Sequence, residues 1–125
     1  MSVYIVPLPW VTPPLSGNRT RGNPHARAKE VEQAKGEARW AVRAARLPRL
    51  IGANVTLAFR VGDKRRRDAD NLAPTLKVCQ DALVLEGILG DDSWVCVPSA
   101  TCRIYPPTNE GPAMWLALET LEESA

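Results

Sequence analysis

Four short stretches of the chain have the hydrophobic pattern of β-strands. Ser2–Pro7 is an apolar run that ends at a proline, and Ala53–Val61, Ser93–Ile104 and Ala113–Leu121 have the composition or alternation of strands. Successive side chains of a strand point to opposite faces, so this spacing predicts four β-strands.

Two longer stretches have helical character. Residues 26–47 are rich in Ala, Glu, Lys and Arg and carry small apolar residues on one side. The second stretch runs to about Leu85 and is closed by Gly87, a residue type that commonly ends helices. The sequence allows two starting points for this helix. The helix can begin at Pro74, because proline suits the first turn. If it begins at Asp70 instead, that carboxylate lies on the face opposite the apolar residues of the helix.

The predicted order of elements is β-α-β-α-β-β. The chain has 125 residues, which is a single-domain length. We therefore expect one small α+β domain over residues 1–125, with the helices packed on a mixed sheet.

Charge is distributed unevenly. The net charge is only +2, yet residues 19–49 hold nine Lys or Arg against three Glu, and a second basic run spans Lys64–Arg67. On the first helix, Lys35, Arg39, Arg43 and Arg46 form one stripe. This pattern predicts a basic face for a polyanion, and a solvated surface is the alternative.

The cysteines and the apolar runs bear on the compartment. The three cysteines have no CxxC spacing, which argues against a zinc site or a disulfide framework and favours a reducing compartment. No apolar run approaches the ~20 residues of a membrane span. The apolar start lacks the basic segment of a signal peptide, so we expect a cytoplasmic protein.

An aspartate constellation surrounds the second helix. Asp68 and Asp70 are two residues apart, and Asp91-Asp92 follows at the next turn. In an extended segment the first two carboxylates would point the same way and repel each other, and a cation would relieve that repulsion. Mg²⁺ suits such a site, because it takes one or two carboxylates together with water and phosphate oxygens.

Each part of this constellation also has a structural explanation. Asp70 or Asn71 can cap the helix, and an Asp-Asp pair after glycine suits a turn. Lys77 and Asp81, four residues apart, can form a surface ion pair.

Several motifs resemble those of the RusA family of Holliday junction resolvases. The chain carries LPW and PPLSGNR near its start, then RRRDADN over Arg65–Asn71, and then LK-x-x-x-DAL, a glycine and DD. The resemblance spans most of the chain, with about three more residues between RRRDADN and the lysine than in the family.

The resemblance implies an Mg²⁺- or Mn²⁺-dependent crossover junction endodeoxyribonuclease. Asp68, Asp70 and Asp92 would be the acidic catalytic and metal-site residues, with Asp91 the alternative ligand, and Lys77 would be the essential lysine. Family members are homodimers that make paired symmetric cuts across four-way junctions in recombination and repair. They are commonly encoded by phages or prophages, which would place the protein in the host cytoplasm.

The residues expected to contact DNA come from the opening loop, the basic runs and the segment beside the site. They are Asn18, Arg19, Lys35, Arg39, Arg65, Arg66, Arg67 and Asn71. The tryptophans are most often core or interface residues, and Trp10, in the proline-rich loop, is the one placed where it could stack on an unpaired base.

Three other functions stay open at this point. The same basic residues would serve a DNA-binding protein without catalysis. A nuclease that acts mainly on flaps or replication forks would have the same motifs. A small interaction protein that uses the acidic C-terminal segment has no positive feature in its favour.

Overall fold

A computed structural model of the chain describes residues 2–15 and 24–121. The elements are β1 (Val3–Pro7), α1 (Pro24–Ala44), β2 (Ala53–Arg60), α2 (Ala73–Leu85), β3 (Ala100–Tyr105) and β4 (Ala113–Thr120). A short 3₁₀ helix, Ala69–Leu72, leads directly into α2.

The four strands form one mixed sheet in the order β1-β4-β2-β3. β4 is antiparallel to both β1 and β2, whereas β3 is parallel to β2. The parallel pair follows from the helical crossover, because α2 carries the chain back before β3 begins. The predicted α+β class, element order and mixed sheet are confirmed.

The core lies between the two helices and one face of the sheet. Alternate strand residues such as Val6, Leu57 and Leu116 are fully buried and join one cluster with Ala38 and Leu83 from the helices. Within the described residues no helix covers the other face. That face exposes apolar side chains at its β1 edge, where Val3 is 58% and Ile5 is 52% accessible.

Gly87 ends α2 in the way the sequence predicts. It has a φ of 79°, which favours glycine, and its N–H donates to the Val84 carbonyl at 3.0 Å. The N–H of Ile88 donates to the Leu83 carbonyl at 2.9 Å, which completes a Schellman motif. This stop places Glu86 at the end of the helix and directs the chain toward Asp91-Asp92.

The strand predicted over Ser93–Ile104 begins too early, because the observed strand β3 starts at Ala100. The Ser93 carbonyl accepts hydrogen bonds from the N–H groups of Cys96 and Val97, at 3.1 and 2.8 Å, so residues 93–97 form a turn. Trp94, expected inside a strand, is 79% exposed on that turn. The apolar alternation is present in the sequence, but local hydrogen bonds form a turn over residues 93–97, and β3 itself begins only at Ala100.

One structural observation bears on the prediction that the chain has no membrane span. In the part of the chain that the structure describes, no helix combines the length and the apolar character needed to cross a bilayer.

Candidate functional site

Asp68 and Asp70 lie at the junction between the basic run and α2. Asp68 is extended, with φ of −106° and ψ of 132°, and its carbonyl accepts the Asn71 N–H at 3.2 Å. Asp70 is already inside the 3₁₀ helix. The expectation that both carboxylates share one side of an extended segment is therefore wrong, because the chain turns helical between them.

The start of the helix also determines how Asp70 is placed relative to Lys77. The 3₁₀ helix passes into α2 without a break, with Leu72 and Ala73 both in the right-handed helical region. Ideal rises put Asp70 roughly 12 Å before Lys77 along the axis and on a similar side of the helix. The two residues share a face but are two turns apart.

Lys77 joins α2 to the turn that carries the second aspartate pair. Its Nζ donates to Asp92 Oδ2 at 2.6 Å and lies 3.1 Å from Asp81 Oδ1. The hydrogen bond to Asp92, followed by that to Asp81, raises the pKa of the lysine, and the same lysine lowers the pKa of Asp92. Both partners are therefore charged at neutral pH, and an ammonium group lies against the candidate metal ligand.

Asp91 has a different role from Asp92. Its Oδ1 accepts hydrogen bonds from the Ser93 hydroxyl at 2.6 Å and from the Ser93 N–H at 2.9 Å, which lower its pKa. These bonds hold the 91–93 turn, so Asp91 fixes the local backbone while Asp92 contacts the lysine.

A basic cleft lies next to Asp68. It has a volume of about 280 Å³, an apolar floor that includes Phe59 and Leu72, and a rim that includes Arg65–Arg67 and Asn71. The cleft brings together the predicted DNA contacts of this segment with one predicted metal ligand.

The stripe on α1 is largely paired with one acidic residue of α2 and one at the C-terminal end of that helix. Arg39 Nε donates to Glu86 Oε2 at 2.7 Å and Arg43 Nε donates to Glu86 Oε1 at 2.9 Å. Lys35 lies 4.0 Å from Asp81. DNA binding by Lys35 and Arg39 stays a prediction, but much of their charge is offset within the protein.

Two further expectations concern the opening loop. Asn18 and Arg19 lie outside the described residues. Trp10 is not available for stacking, because its side chain is 8% exposed and its Nε1–H donates to Glu37 Oε1 at 3.1 Å. A buried indole with one hydrogen bond at its edge is a common core arrangement, and the core role is the one that the sequence favoured for tryptophans in general.

Asp81 and the floor of the basic cleft were not predicted as site features. The spacing of Lys77 and Asp81 pointed to an ion pair, but its connection to Asp92 requires the fold. Phe59 and Ile104 come from the parallel strands β2 and β3, where they are register partners. Sequence alternation marked both as apolar strand residues, without indicating a cleft.

Within residues 2–15 and 24–121, no three His, Cys, Asp or Glu side chains are grouped closely enough to hold a metal ion. No protein-family model matches the chain, and no curated protein matches it. Two separate features therefore remain: the Lys77 ammonium with the carboxylates of Asp81 and Asp92, and the cleft of arginines that includes Asp68. The structure does not place Asp68 and Asp92 in one pocket.

Proposed function

We propose that the protein is a metal-dependent endodeoxyribonuclease that cuts branched DNA, with four-way junctions as its substrate. The observation that carries this proposal is the 2.6 Å contact between Lys77 Nζ and Asp92 Oδ2. It joins the lysine and the second aspartate pair, which the RusA-like motifs assign to one catalytic site although 15 residues separate them.

Each candidate ligand suits Mg²⁺ or Mn²⁺ by the chemistry of its carboxylate. Asp68, Asp70 and Asp92 offer exposed carboxylate oxygens, and Mg²⁺ usually takes one or two carboxylates and keeps several waters. A closed cage of three carboxylates is therefore not required. We assign Asp92 as a ligand in preference to Asp91, whose Oδ1 already accepts two hydrogen bonds. A bound ion would lower the pKa of a water and polarise a phosphate oxygen.

Lys77 supplies the protein's own contribution to charge stabilisation. Its raised pKa keeps it protonated, and its exposed ammonium can reach a phosphate as well as Asp92. Negative charge that develops on a phosphate during cleavage is stabilised by a cation already in place. Asp81 also contacts the lysine, at 3.1 Å, so two carboxylates orient the ammonium before substrate binds.

A homodimer completes the proposal, because paired cuts need two sites related by symmetry. The uncovered sheet face supports this expectation, since it exposes Val3 and Ile5 and carries the half-buried Trp115 and Tyr105. Two-fold symmetry is the commonest symmetry of homo-oligomers, and it would pair this face with its copy. Sedimentation equilibrium should give twice the chain mass of 13.7 kDa, and a monomer on junction DNA would contradict paired cutting.

DNA binding without catalysis is the second candidate. It is favoured by the pairing of Asp92 with Lys77, which leaves the carboxylate neutralised by the protein itself. The two functions are separated by incubating end-labelled four-way junction, flap, fork and linear duplex with Mg²⁺ and resolving the products on a denaturing gel. Symmetric nicks in the junction support the proposal. Cutting of flaps or forks alone would replace the substrate, and intact DNA in every lane would favour the binding protein.

A further inference from the structure

The basic cleft beside Asp68 has the composition of a small ligand site. Its floor is made by Phe59 and Leu72, which are almost fully buried, and by the half-buried Ile104. Its wall offers the Asn71 amide, which has both donors and acceptors. Apolar surfaces with a few polar groups are typical of sites that bind small organic molecules.

The rim of the cleft favours an anion. Three arginines line it, and Asp68 is the one acidic residue among the lining residues. Arg65 and Arg67 are held by Asp63, at 3.3 and 2.9 Å, so part of the rim is fixed in place.

Two of the rim arginines differ in what they already contact. Arg67 also lies over the Phe59 ring, with its guanidinium carbon 5.9 Å from the ring centre. Arg66 makes no ion pair or hydrogen bond with any other residue of the described chain, so its guanidinium is available to a ligand.

Size limits the ligand to one planar unit. The cleft measures about 280 Å³, which is at the lower end of small-molecule sites and far too small for duplex DNA. An apolar floor accepts the face of a base, an amide can hydrogen-bond a base edge, and a guanidinium binds phosphate. One nucleotide satisfies all three features.

We propose that this cleft binds a single unstacked nucleotide of the branched DNA, with its base against the half-buried Ile104 side of the apolar floor and its phosphate at Arg66. The inference rests on the proposed function and adds the part of the substrate that is recognised. Removing a base from a stack is least costly where pairing is already broken, which is the condition at a branch point. Since Asp68 belongs to the same rim, the bound nucleotide would lie beside the candidate metal site.

Two neighbouring loop residues provide a matched test. Thr12 lines the mouth of the cleft, whereas exposed Val11 does not. Thr12→Trp should fill the cleft, and Val11→Trp adds the same indole to the same loop outside it. Four-way junctions would carry 2-aminopurine at one branch-flanking position at a time, since this base brightens when it leaves the stack.

Wild type and Val11→Trp should brighten at least one branch position at saturating protein. Thr12→Trp should abolish that increase and weaken junction binding on the order of tenfold, the effect of losing one stacked base. An equal increase with Thr12→Trp and Val11→Trp would overturn the proposal, because the base would then unstack without using the cleft.

A second measurement does not depend on the variants or on junction binding. Methyl NMR of the wild-type protein during titration with deoxycytidine and deoxyadenosine monophosphates should shift the Thr12, Leu72 and Ile104 signals first. Shifts that are absent or spread evenly over the protein would overturn the cleft assignment. If wild type neither binds nor cuts junctions, the proposed function fails, and this titration still decides the nucleotide site.

Discussion

Thr75 is a buried polar residue that ties the opening loop to α2. Its side-chain hydroxyl donates to the Leu15 carbonyl at 2.8 Å, and the two residues are 0% and 1% exposed. Thr75→Val keeps the shape of the side chain but replaces the hydroxyl by a methyl group. The buried Leu15 carbonyl then loses this donor, which costs about 1–3 kcal/mol of the free energy of unfolding.

The expected loss is measurable by thermal and urea denaturation. For a domain of this size, a loss near the middle of that range lowers the melting temperature by roughly 5–10 °C. Thr75→Ser is the matched control, because it keeps the hydroxyl and removes only one methyl group, worth ~0.8 kcal/mol. Thr75→Val at wild-type stability, or Thr75→Ser less stable than Thr75→Val, would refute the view that this hydrogen bond anchors the loop.

Three further predictions concern charge. Hydrogen bonds from Arg43 and then Arg39 lower the pKa of Glu86 from 4.5 to about 2, so its stabilising effect is present above pH 4.5 and is lost as pH falls toward 2. Glu86→Gln should therefore flatten the acid loss of stability in that window, and an unchanged pH profile would contradict the pairing. Lys77→Ala should slow single-turnover cutting by a factor of ~10²–10³ with junction affinity nearly unchanged, whereas lost affinity with normal cutting would make the lysine a phosphate contact only. Arg66→Ala should reduce the slope of log affinity against log salt by about 0.7–0.9 on four-way junctions, and an equal slope would show that this guanidinium does not contact phosphate.

Most of the fold could be predicted because its elements carry local signals. The helix with periodic small residues, the glycine stop at Gly87 and the alternation in Ala53–Arg60 are each decided within a few residues. Element order then limits the architecture, since a helix between two strands allows them to be parallel. These features needed no knowledge of long-range contacts.

The errors arose where local hydrogen bonds competed with hydrophobic spacing. The apolar alternation after Ser93 predicted a strand, but the Ser93 carbonyl binds two following N–H groups and turns the chain. The 3₁₀ helix that includes Asp70 likewise changes the direction of a carboxylate within two residues. Periodicity does not report such bonds, which depend on single carbonyl and amide groups.

The candidate site was only partly accessible from sequence. The motifs named Lys77 and Asp92, but their contact depends on how far α2 extends and where Gly87 stops it. The basic stripe suggested a DNA-binding face, and its pairing with Glu86 appears only when the two helices pack together. The sequence indicated the chemistry of each side chain, but it did not indicate which residue each charged group contacts in the fold.

The central claim is that Asp70 and Asp92 serve metal-dependent cutting and not DNA binding. The direct test is single-turnover cleavage of an end-labelled four-way junction with Mg²⁺, alongside junction binding measured in Ca²⁺ or without metal. Wild type should give symmetric nicks on opposed strands, whereas Asp70→Asn and Asp92→Asn should bind the junction as wild type does and leave it intact. Wild-type cutting by either variant would remove that residue from the site, and an uncut junction with wild-type protein would contradict the proposed nuclease.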